Sequence, residues 1–294
     1  MKHVFLLNYF SLKKDTDKMI DIIQEVADEM DLDYRLEVNS PYRSTEKILD
    51  SYKDHKDIII CIGGDGTINR TLNGIVGTEN VLGFIPYGTG NDFYRTNKEL
   101  LTDGINKIDL IRINDKYFIN VACFGIDADI ANEEDIVHSK LIPKSQRYNA
   151  GIIKHFMTYK PRHLKVIVDD ETYEQDYTTV ALCNARYYGG GYKIGTNALL
   201  DDGLVDVYLA DQLSKVQMAN LILGMKKGKH EKNKALKVLK AKKVFIESRE
   251  PITCNIDGDK LTSDTFDVEV IPNGISVYYN QKLIDEVLKV RKRK

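Results

Sequence analysis

The chain has 294 residues, of which 29% are charged, and a formal net charge of −2 at pH 7. This length accommodates a substantial core and predicts two domains, and the near-neutral charge excludes electrostatic binding of nucleic acid by the protein as a whole. No segment reaches the roughly 20 consecutive apolar residues of a membrane-spanning helix, and the N-terminal apolar run is too short for a signal peptide. The four widely spaced cysteines predict reduced thiols in the core of a cytoplasmic protein: Cys61, Cys123, Cys183 and Cys254.

The first part of the chain alternates between strand and helix patterns. Apolar, β-branched runs predict strands at residues 4–8, 34–38, 57–62 and 81–86, and amphipathic runs predict helices at 15–30, 44–53 and 67–76. This alternation predicts a doubly wound parallel α/β sheet that binds its ligands at the carboxyl ends of the strands.

Two glycine-rich segments follow neighbouring predicted strands. The first reads Gly63-Gly64-Asp65-Gly66-Thr67, and the second reads Pro86-Tyr87-Gly88-Thr89-Gly90-Asn91-Asp92-Phe93. Bare amides before a helix bind anions, and a carboxylate among them suits a metal that lies between it and phosphate groups. Each segment alone is compatible with an ordinary turn. Because both belong to the same edge of the sheet, they predict metal-assisted nucleotide binding.

From about residue 108 the pattern changes to many short strands. They are predicted at residues 110–113, 117–122, 164–168, 178–183, 205–209, 244–246, 266–270 and 275–279, with helices at 127–137, 146–159 and 214–224. Such a series indicates an antiparallel sandwich or barrel, of which we predict the β-sandwich. We therefore predict an α/β domain at residues 1–113, a β-sandwich domain at 114–280, and a basic helix at 281–294 that folds back onto the first domain.

Three further segments of the second half carry candidate functional residues. Gly189-Gly190-Gly191 permits an irregular backbone close to a ligand, and the Asp202 carboxylate, before Gly203, could join backbone carbonyls around a hard cation. Asn255-Ile256-Asp257-Gly258-Asp259 predicts a hairpin turn with two carboxylates, one of which could act as a general base if the fold brings it to the reacting group.

The basic stretch at residues 226–243 contains Glu231 as its only acid. It is compatible with a solvated helix face and loop. Together with the apolar residues directly upstream, it is also compatible with a surface that binds an anionic membrane. Those apolar residues are Leu221, Ile222, Leu223 and Met225.

These motifs, together with Phe124-Gly125-Ile126-Asp127-Ala128, resemble those of the diacylglycerol kinase catalytic-domain superfamily, and in particular its soluble bacterial lipid kinases. The resemblance covers nearly the whole chain. It implies transfer of the γ-phosphoryl group of ATP to a lipid hydroxyl, with Mg²⁺, by a cytoplasmic enzyme that is peripheral on the inner face of the membrane. The chain departs from the family after Asn8, where a proline and a glycine are missing, and at Asp259, which replaces a glutamate.

The resemblance also implies roles for individual residues. Asp65 and Asp92 would organise the catalytic Mg²⁺, and Asp259, or alternatively Asp257, would be the general base. A second, structural Mg²⁺ would bind the carbonyls of Leu199 and Leu204 and the carboxylate of Asp202. The nucleotide would be held by Gly63, Gly64, Asp65, Gly66, Thr67, Ile68, Asn69, Arg70, Gly88, Thr89 and Asn91.

Two other functions stay open at this point. An NAD kinase shares the first glycine motif, and a catalytically silent lipid- or nucleotide-binding regulator is compatible with the altered residues after Asn8. The sequence leaves open which lipid is phosphorylated, and whether the β domain forms a homodimer.

Overall fold

The structure is a computed structural model that describes residues 1–125 and 161–293. The predicted helices at 127–137 and 146–159, and the residues Ile126, Asp127 and Ala128, lie outside the described residues. The chain forms two compact units, one of residues Met1–Ile108 with Asn273–Lys294 and the other of residues Asp109–Pro272.

The first unit is built on a parallel sheet. Its strands are β1 (His3–Leu7), β2 (Tyr34–Val38), β3 (Ile58–Gly63) and β4 (Val81–Pro86), in the order β2-β1-β3-β4. Every residue of β3 and β4 is buried, as expected for strands covered on both faces. The end of the last strand of the chain adds a further parallel strand, in which Val277 pairs with Leu82. The predicted doubly wound parallel sheet is confirmed.

Helices cover this sheet. They are α1 (Tyr9–Leu12), α2 (Thr16–Glu29), α3 (Thr45–Asp50), α4 (Asp65–Ile75) and α5 (Asp92–Leu100), and the C-terminal helix Gln281–Arg293 packs against α2. Two of them differ from the prediction. Helix α4 begins at Asp65 rather than at residue 67, so Asp65 lies in the first helical turn. Helix α5 is not predicted, because its sequence is mostly polar and it follows residues that are typical of a turn.

The second unit is an antiparallel β-sandwich, as predicted. Its long strands bend and pair with different neighbours along their length, and aromatic side chains such as Phe118, Phe124 and Phe266 fill its core. The remaining strands of the described residues are β5 (Gly104–Ile113), β6 (Lys116–Phe118), β7 (Val121–Gly125), β8 (Arg162–Val168), β9 (Glu171–Cys183), β10 (Tyr187–Tyr188), β11 (Tyr192–Lys193), β12 (Val205–Asp211), β13 (Leu236–Ala241), β14 (Lys243–Ile256) and β15 (Asp259–Tyr279).

One helix, α6 (Lys215–Lys226), covers a second apolar cluster of this unit. The basic stretch at residues 226–243 is not simply a helix face followed by a loop, because it contains β13, which pairs with β12. Its lysines therefore belong partly to a sheet, where alternate side chains point to opposite faces.

All four cysteines are buried and form no disulfide, as predicted. Burial raises the pKa of the Cys61 thiol to about 12, which favours its neutral form. Among residues 1–125 and 161–293, the helices are all too short or too polar to cross a lipid bilayer.

Candidate active site

Buried amide side chains join the carboxyl ends of β1, β2 and β3. The strand order reverses between β1 and β3, and such a point is where doubly wound sheets bind ligands. Asn8, after β1, donates from Nδ2 to Thr67 Oγ1 over 3.4 Å. Asn39, after β2, donates to Asn8 Oδ1 over 3.2 Å and to Thr45 Oγ1 over 2.9 Å. From the sequence alone Asn39 has no predicted role, because an asparagine after a strand is indistinguishable from a turn residue.

The two glycine-rich loops meet backbone to backbone. The amide of Tyr87 donates to the Gly63 carbonyl over 2.8 Å. A Cβ atom on Gly88 would lie 2.5 Å from the Cα of Gly64, so both positions require glycine at this separation. Asn91 braces the second loop, since its side chain accepts from the Gly88 amide over 2.8 Å and donates to the Gly88 carbonyl over 2.9 Å.

Asp65 connects these loops through its carboxylate. Its Oδ2 accepts from the amide of Asp92 over 3.1 Å, and its Oδ1 accepts from the amide of Phe93 over 3.0 Å. A side chain in the first turn of α4 therefore caps the N-terminus of α5, whose own preceding residue, Asn91, supplies no side-chain cap. The negative charge lies at the positive ends of both helices, where it is favoured. Asp65 therefore has a structural role in addition to the one that its motif implies.

The exposed residues of the two loops are Gly66, Arg70, Gly88 and Thr89. A Cβ on Gly66 would meet no protein atom within 4 Å, so the backbone there faces open space. The Arg70 Nε atom lies 3.8 Å from Glu46 Oε1. The pKa of the Glu46 carboxyl lies below its ordinary value. The main causes are hydrogen bonds from the Glu46 backbone amide and from Ser44, followed by the positive charge of Arg70.

Two of the predicted nucleotide contacts have buried side chains, Ile68 and Asn69. The Ile68 amide donates to the Gly64 carbonyl over 3.1 Å, so Ile68 offers a phosphate neither its side chain nor its amide. The Asp92 side chain is also buried, with the Arg95 guanidinium 3.9 Å from its Oδ1. Ile68 thus supports the loop by packing, and we do not retain it as a direct contact.

The C-terminal helix also reaches the second glycine-rich loop. The Arg291 guanidinium lies 3.9 Å from the centre of the Tyr87 ring, and the Tyr87 hydroxyl donates to Asp15 over 3.0 Å. Partial burial, and then the bond to Asp15, raise the pKa of Tyr87. The basic character of residues 281–294 was visible in the sequence, but its partner on this loop was not.

The loops fit a Mg²⁺ ion that arrives with a nucleotide. Each Asp65 oxygen accepts one amide, and a carboxylate offers about four acceptor positions. In the part of the chain that the structure describes, no three His, Cys, Asp or Glu side chains converge as a metal site. A Mg²⁺ ion at these loops would therefore take most of its ligands from phosphate oxygens and water, as it commonly does.

In the second unit, the two candidate bases lie on the turn between β14 and β15 and differ sharply. Asp257 is 4% exposed and accepts hydrogen bonds from three amides, those of Ile119 (3.1 Å), Asn120 (3.2 Å) and Val121 (2.8 Å). Its carboxylate fastens the turn to the start of β7. Asp259 is only half-buried. Of the two, Asp259 is the one that solvent and a substrate can reach.

The triple-glycine segment supports this turn. Gly189, Gly190 and Gly191 all have positive φ, at 66°, 83° and 107°, and they join β10 to β11. The preceding Tyr188 donates from its hydroxyl to Asn255 Oδ1 over 2.9 Å, and the same oxygen accepts from the Gly258 amide over 3.1 Å. The irregular backbone thus positions a tyrosine against the turn.

Comparison with known protein families decides between the functions left open. Residues 2–118 match the diacylglycerol kinase catalytic domain, and residues 120–279 match the YegS C-terminal NAD kinase beta sandwich-like domain. The chain belongs to the diacylglycerol kinase family. It is a lipid kinase, and the resemblance seen in its motifs is confirmed.

Individual relatives of this lipid kinase agree. A diacylglycerol kinase of Mycobacterium tuberculosis is 30% identical over 241 residues, which is 75% of this chain and 76% of that protein. A diacylglycerol kinase of Staphylococcus saprophyticus is 28% identical over 236 residues, 74% of this chain and 77% of that protein. The crystal structure of a diacylglycerol kinase from Bacillus anthracis is 20% identical and superposes with a TM-score of 0.64, covering 96% of this chain and 98% of that one. This last similarity establishes the fold.

In the loop to which the family resemblance assigns a structural Mg²⁺, a lysine and a backbone amide already bind the Asp202 carboxylate. Lys240 Nζ donates to Asp202 Oδ2 over 2.6 Å, and the Leu204 amide donates to Asp202 Oδ1 over 3.1 Å. Partial burial opposes the charge, but the bond to Asp202 raises the pKa of Lys240. The arrangement of Leu199, Asp202 and Leu204 therefore does not fit a divalent cation, because the Lys240 ammonium group is already bound to the carboxylate that would bind the cation.

The apolar patch beside the basic stretch also differs from the prediction. Leu221 and Met225 lie on the inner face of α6, where they are buried in the apolar cluster. The outward face of this helix instead carries Val216, 71% exposed, and Leu223, 59% exposed, two helical turns apart. The difference arises because consecutive apolar residues of a helix point in different directions.

Proposed function

We propose that this lipid kinase transfers the γ-phosphoryl group of ATP to a primary hydroxyl of a diacylglycerol-like lipid, with Mg²⁺. The observation that carries the nucleotide part is the meeting of two glycine-rich loops at Gly64 and Gly88, tied by Asp65. The relatives named diacylglycerol kinase support the lipid part.

In this proposal the first unit binds the nucleotide. The N-terminal amides of α4, at Asp65 and Gly66, have no acceptor within the helix and would donate to phosphate oxygens. Thr67 and Thr89 would add hydroxyl donors, and Arg70 a positive charge. Asp65 would orient the Mg²⁺ through water while its bonds to α5 keep the two loops in register. When bound, Mg²⁺ neutralises phosphate charge that develops during transfer.

The chemistry requires one proton acceptor. The lipid hydroxyl oxygen bonds to the γ-phosphorus, the bond from that phosphorus to the bridging oxygen breaks, and ADP leaves with the electron pair. The hydroxyl proton passes to a carboxylate, for which we propose Asp259. Asp257 is less suited, since three amides already stabilise its charge and it is sealed from solvent.

We also propose that the kinase works as a peripheral cytoplasmic protein on the inner membrane face. Val216 and Leu223 on α6 would enter the interface, and Lys227 and Lys229, which are exposed, would attract anionic lipid headgroups. The homodimer through the β domain stays a prediction.

The test is phosphorylation of mixed micelles with ATP labelled at the γ-position. Diacylglycerol, monoacylglycerol, ceramide, a sphingoid base and phosphatidylglycerol are offered separately, and NAD serves as a soluble acceptor. We expect label in the diacylglycerol product, dependent on Mg²⁺, lost in Asp65→Asn and retained in Asp264→Asn, a matched change at an exposed carboxylate. Label in NAD, or in no lipid, would contradict the proposal.

A further inference from the structure

The loop at residues 199–204 leads into β12, which pairs with β13. We propose that Lys240 is the resident cation of this loop, so that the kinase holds the loop in place without the structural divalent cation that its sequence motif implies. This inference goes beyond the proposed function, and its test does not depend on kinase activity.

The sheet places Lys240 among carboxylates. In the antiparallel pairing of β12 with β13, Lys240 lies directly opposite Asp206, so the two side chains share one face. Its Nζ lies 3.6 Å from Asp206 Oδ2 and 2.6 Å from Asp202 Oδ2. The ammonium therefore bridges two aspartates, one on the strand and one on the loop that precedes it.

The negative charge of Asp202 is already compensated by an ammonium group, which distinguishes this carboxylate from that of Asp65. Asp202 Oδ2 binds the ammonium, and Oδ1 accepts from the Leu204 amide over 3.1 Å. A divalent ion needs oxygen ligands at about 2.0–2.6 Å. An ion bound to Asp202 at that distance would lie within a few ångströms of Lys240, and the repulsion between the two cations would oppose its binding.

Another aspartate, Asp109, fixes the backbone of the loop through two hydrogen bonds. Asp109, which is fully buried, donates from its amide to the Leu200 carbonyl over 2.6 Å and accepts from the Gly203 amide at Oδ2 over 2.6 Å. These contacts hold both sides of the turn around Asp202. The loop thus has an anchor for its backbone and a cation for its carboxylate, all within the second unit.

The pair is accessible enough to be tested by adding ions. The side chains of Lys240 and Asp202 are 38% and 20% exposed, so a solvated ion can reach them. Removing the lysine leaves Asp202 and Asp206 without their shared cation. A site vacated in this way should gain affinity for Mg²⁺, because two carboxylates of like charge favour a cation between them.

The experiment measures thermal unfolding of the nucleotide-free protein in EDTA and in millimolar Mg²⁺ or Ca²⁺, for wild type, Asp202→Asn, Lys240→Met and Lys240→Arg. We expect the Tm of wild type and of Lys240→Arg to change on adding either ion no more than the Tm of Asp202→Asn does. We expect Lys240→Met to unfold at a lower temperature in EDTA and to recover on adding the ion. The recovery should raise Tm by roughly 2–4 °C.

Two results would overturn the proposal. One is a rise in the Tm of wild type with Mg²⁺ or Ca²⁺ that disappears in Asp202→Asn, because that rise would place a metal at Asp202. The other is a Lys240→Met protein that folds and stays indifferent to both ions. If Lys240→Met does not fold, the comparison of wild type with Asp202→Asn still decides, since an equal response of the two excludes a metal at Asp202 and a response of wild type alone establishes one.

Discussion

Asp65 and Asp202 both precede a glycine and both belong to motifs that imply a bound cation, yet their surroundings differ. The Asp65 carboxylate is held by two backbone amides, which carry no net charge and leave its negative charge uncompensated. The Asp202 carboxylate is held by one amide and by the ammonium of Lys240. The first can still attract a cation that arrives with a nucleotide. The second already has one.

The chemistry of an aspartate therefore depends on which donor reaches its carboxylate from elsewhere in the chain. Amides position a carboxylate and stabilise its charged form without neutralising it. A lysine positions it and neutralises it. The same distinction separates Asp257, which three amides hold in a buried turn, from Asp259, which stays half-exposed beside it.

The largest expected effect separates Asp259 from Asp257. Asp259→Asn should lower kcat for lipid phosphorylation by about 10²–10⁴-fold, the usual contribution of a general base, with little change in stability. Asp257→Asn should instead lower the free energy of unfolding by about 1–3 kcal/mol, because an amide cannot accept from all three buried donors. Paired kinetics and denaturant unfolding check both. A stable Asp257→Asn protein with the larger kinetic loss would reverse our assignment.

The second effect compares Asp65 with Asp202 directly. Asp65→Asn should reduce kcat/KM for ATP by about 100-fold or more, the scale seen when one preorganised electrostatic group is removed. Asp202→Asn removes an ion pair that is partly solvated, worth about 1 kcal/mol or less, and should leave ATP kinetics nearly unchanged. Initial rates at varied ATP, with saturating lipid, give the ratio. Similar losses of kcat/KM in the two variants would contradict the different roles assigned to Asp65 and Asp202.

A third prediction tests the contact between the two glycine-rich loops. Gly88→Ala forces a Cβ against Gly64, and overpacking of about 1–3 kcal/mol should lower kcat/KM by roughly tenfold to a hundredfold. Gly66→Ala is the matched substitution, since its Cβ meets no protein atom. It should slightly raise Tm through helix propensity, while KM for ATP rises where phosphate approaches. An unchanged KM in Gly66→Ala would mean that phosphate does not approach that position.

The smallest predicted effect concerns membrane binding. Reversing Lys227 and Lys229 to Glu should weaken binding to anionic vesicles by about thirtyfold at low salt, since each lysine contributes about 1 kcal/mol and the two together about 2 kcal/mol. Reversing Lys98 and Lys107, exposed residues of the first unit, changes the net charge equally and serves as the control. Vesicle sedimentation over a range of salt concentrations measures both. Equal vesicle binding by the two double variants would mean that residues 226–243 form a solvated basic surface with no role in membrane binding.

The sequence predicted most strands of both units, because periodicity and glycine position are local properties. It could not predict the partners. Asp65 caps a helix that begins 27 residues later, and Lys240 lies 38 residues beyond Asp202. The separate faces of α6 were also missed, since Leu221 and Leu223 look alike until the helix is placed on its core. Hydrogen bonds and ion pairs between residues distant in sequence, rather than the motifs themselves, determine which carboxylates can still bind a cation.

The most direct test of this account counts bound Mn²⁺, as a spectroscopically visible substitute for Mg²⁺, by electron paramagnetic resonance. We expect no tightly bound ion without nucleotide, and one ion per chain when a non-hydrolysable ATP analogue is added. That ion should be lost in Asp65→Asn and retained in Asp202→Asn. A nucleotide-independent ion that disappears in Asp202→Asn would contradict the account.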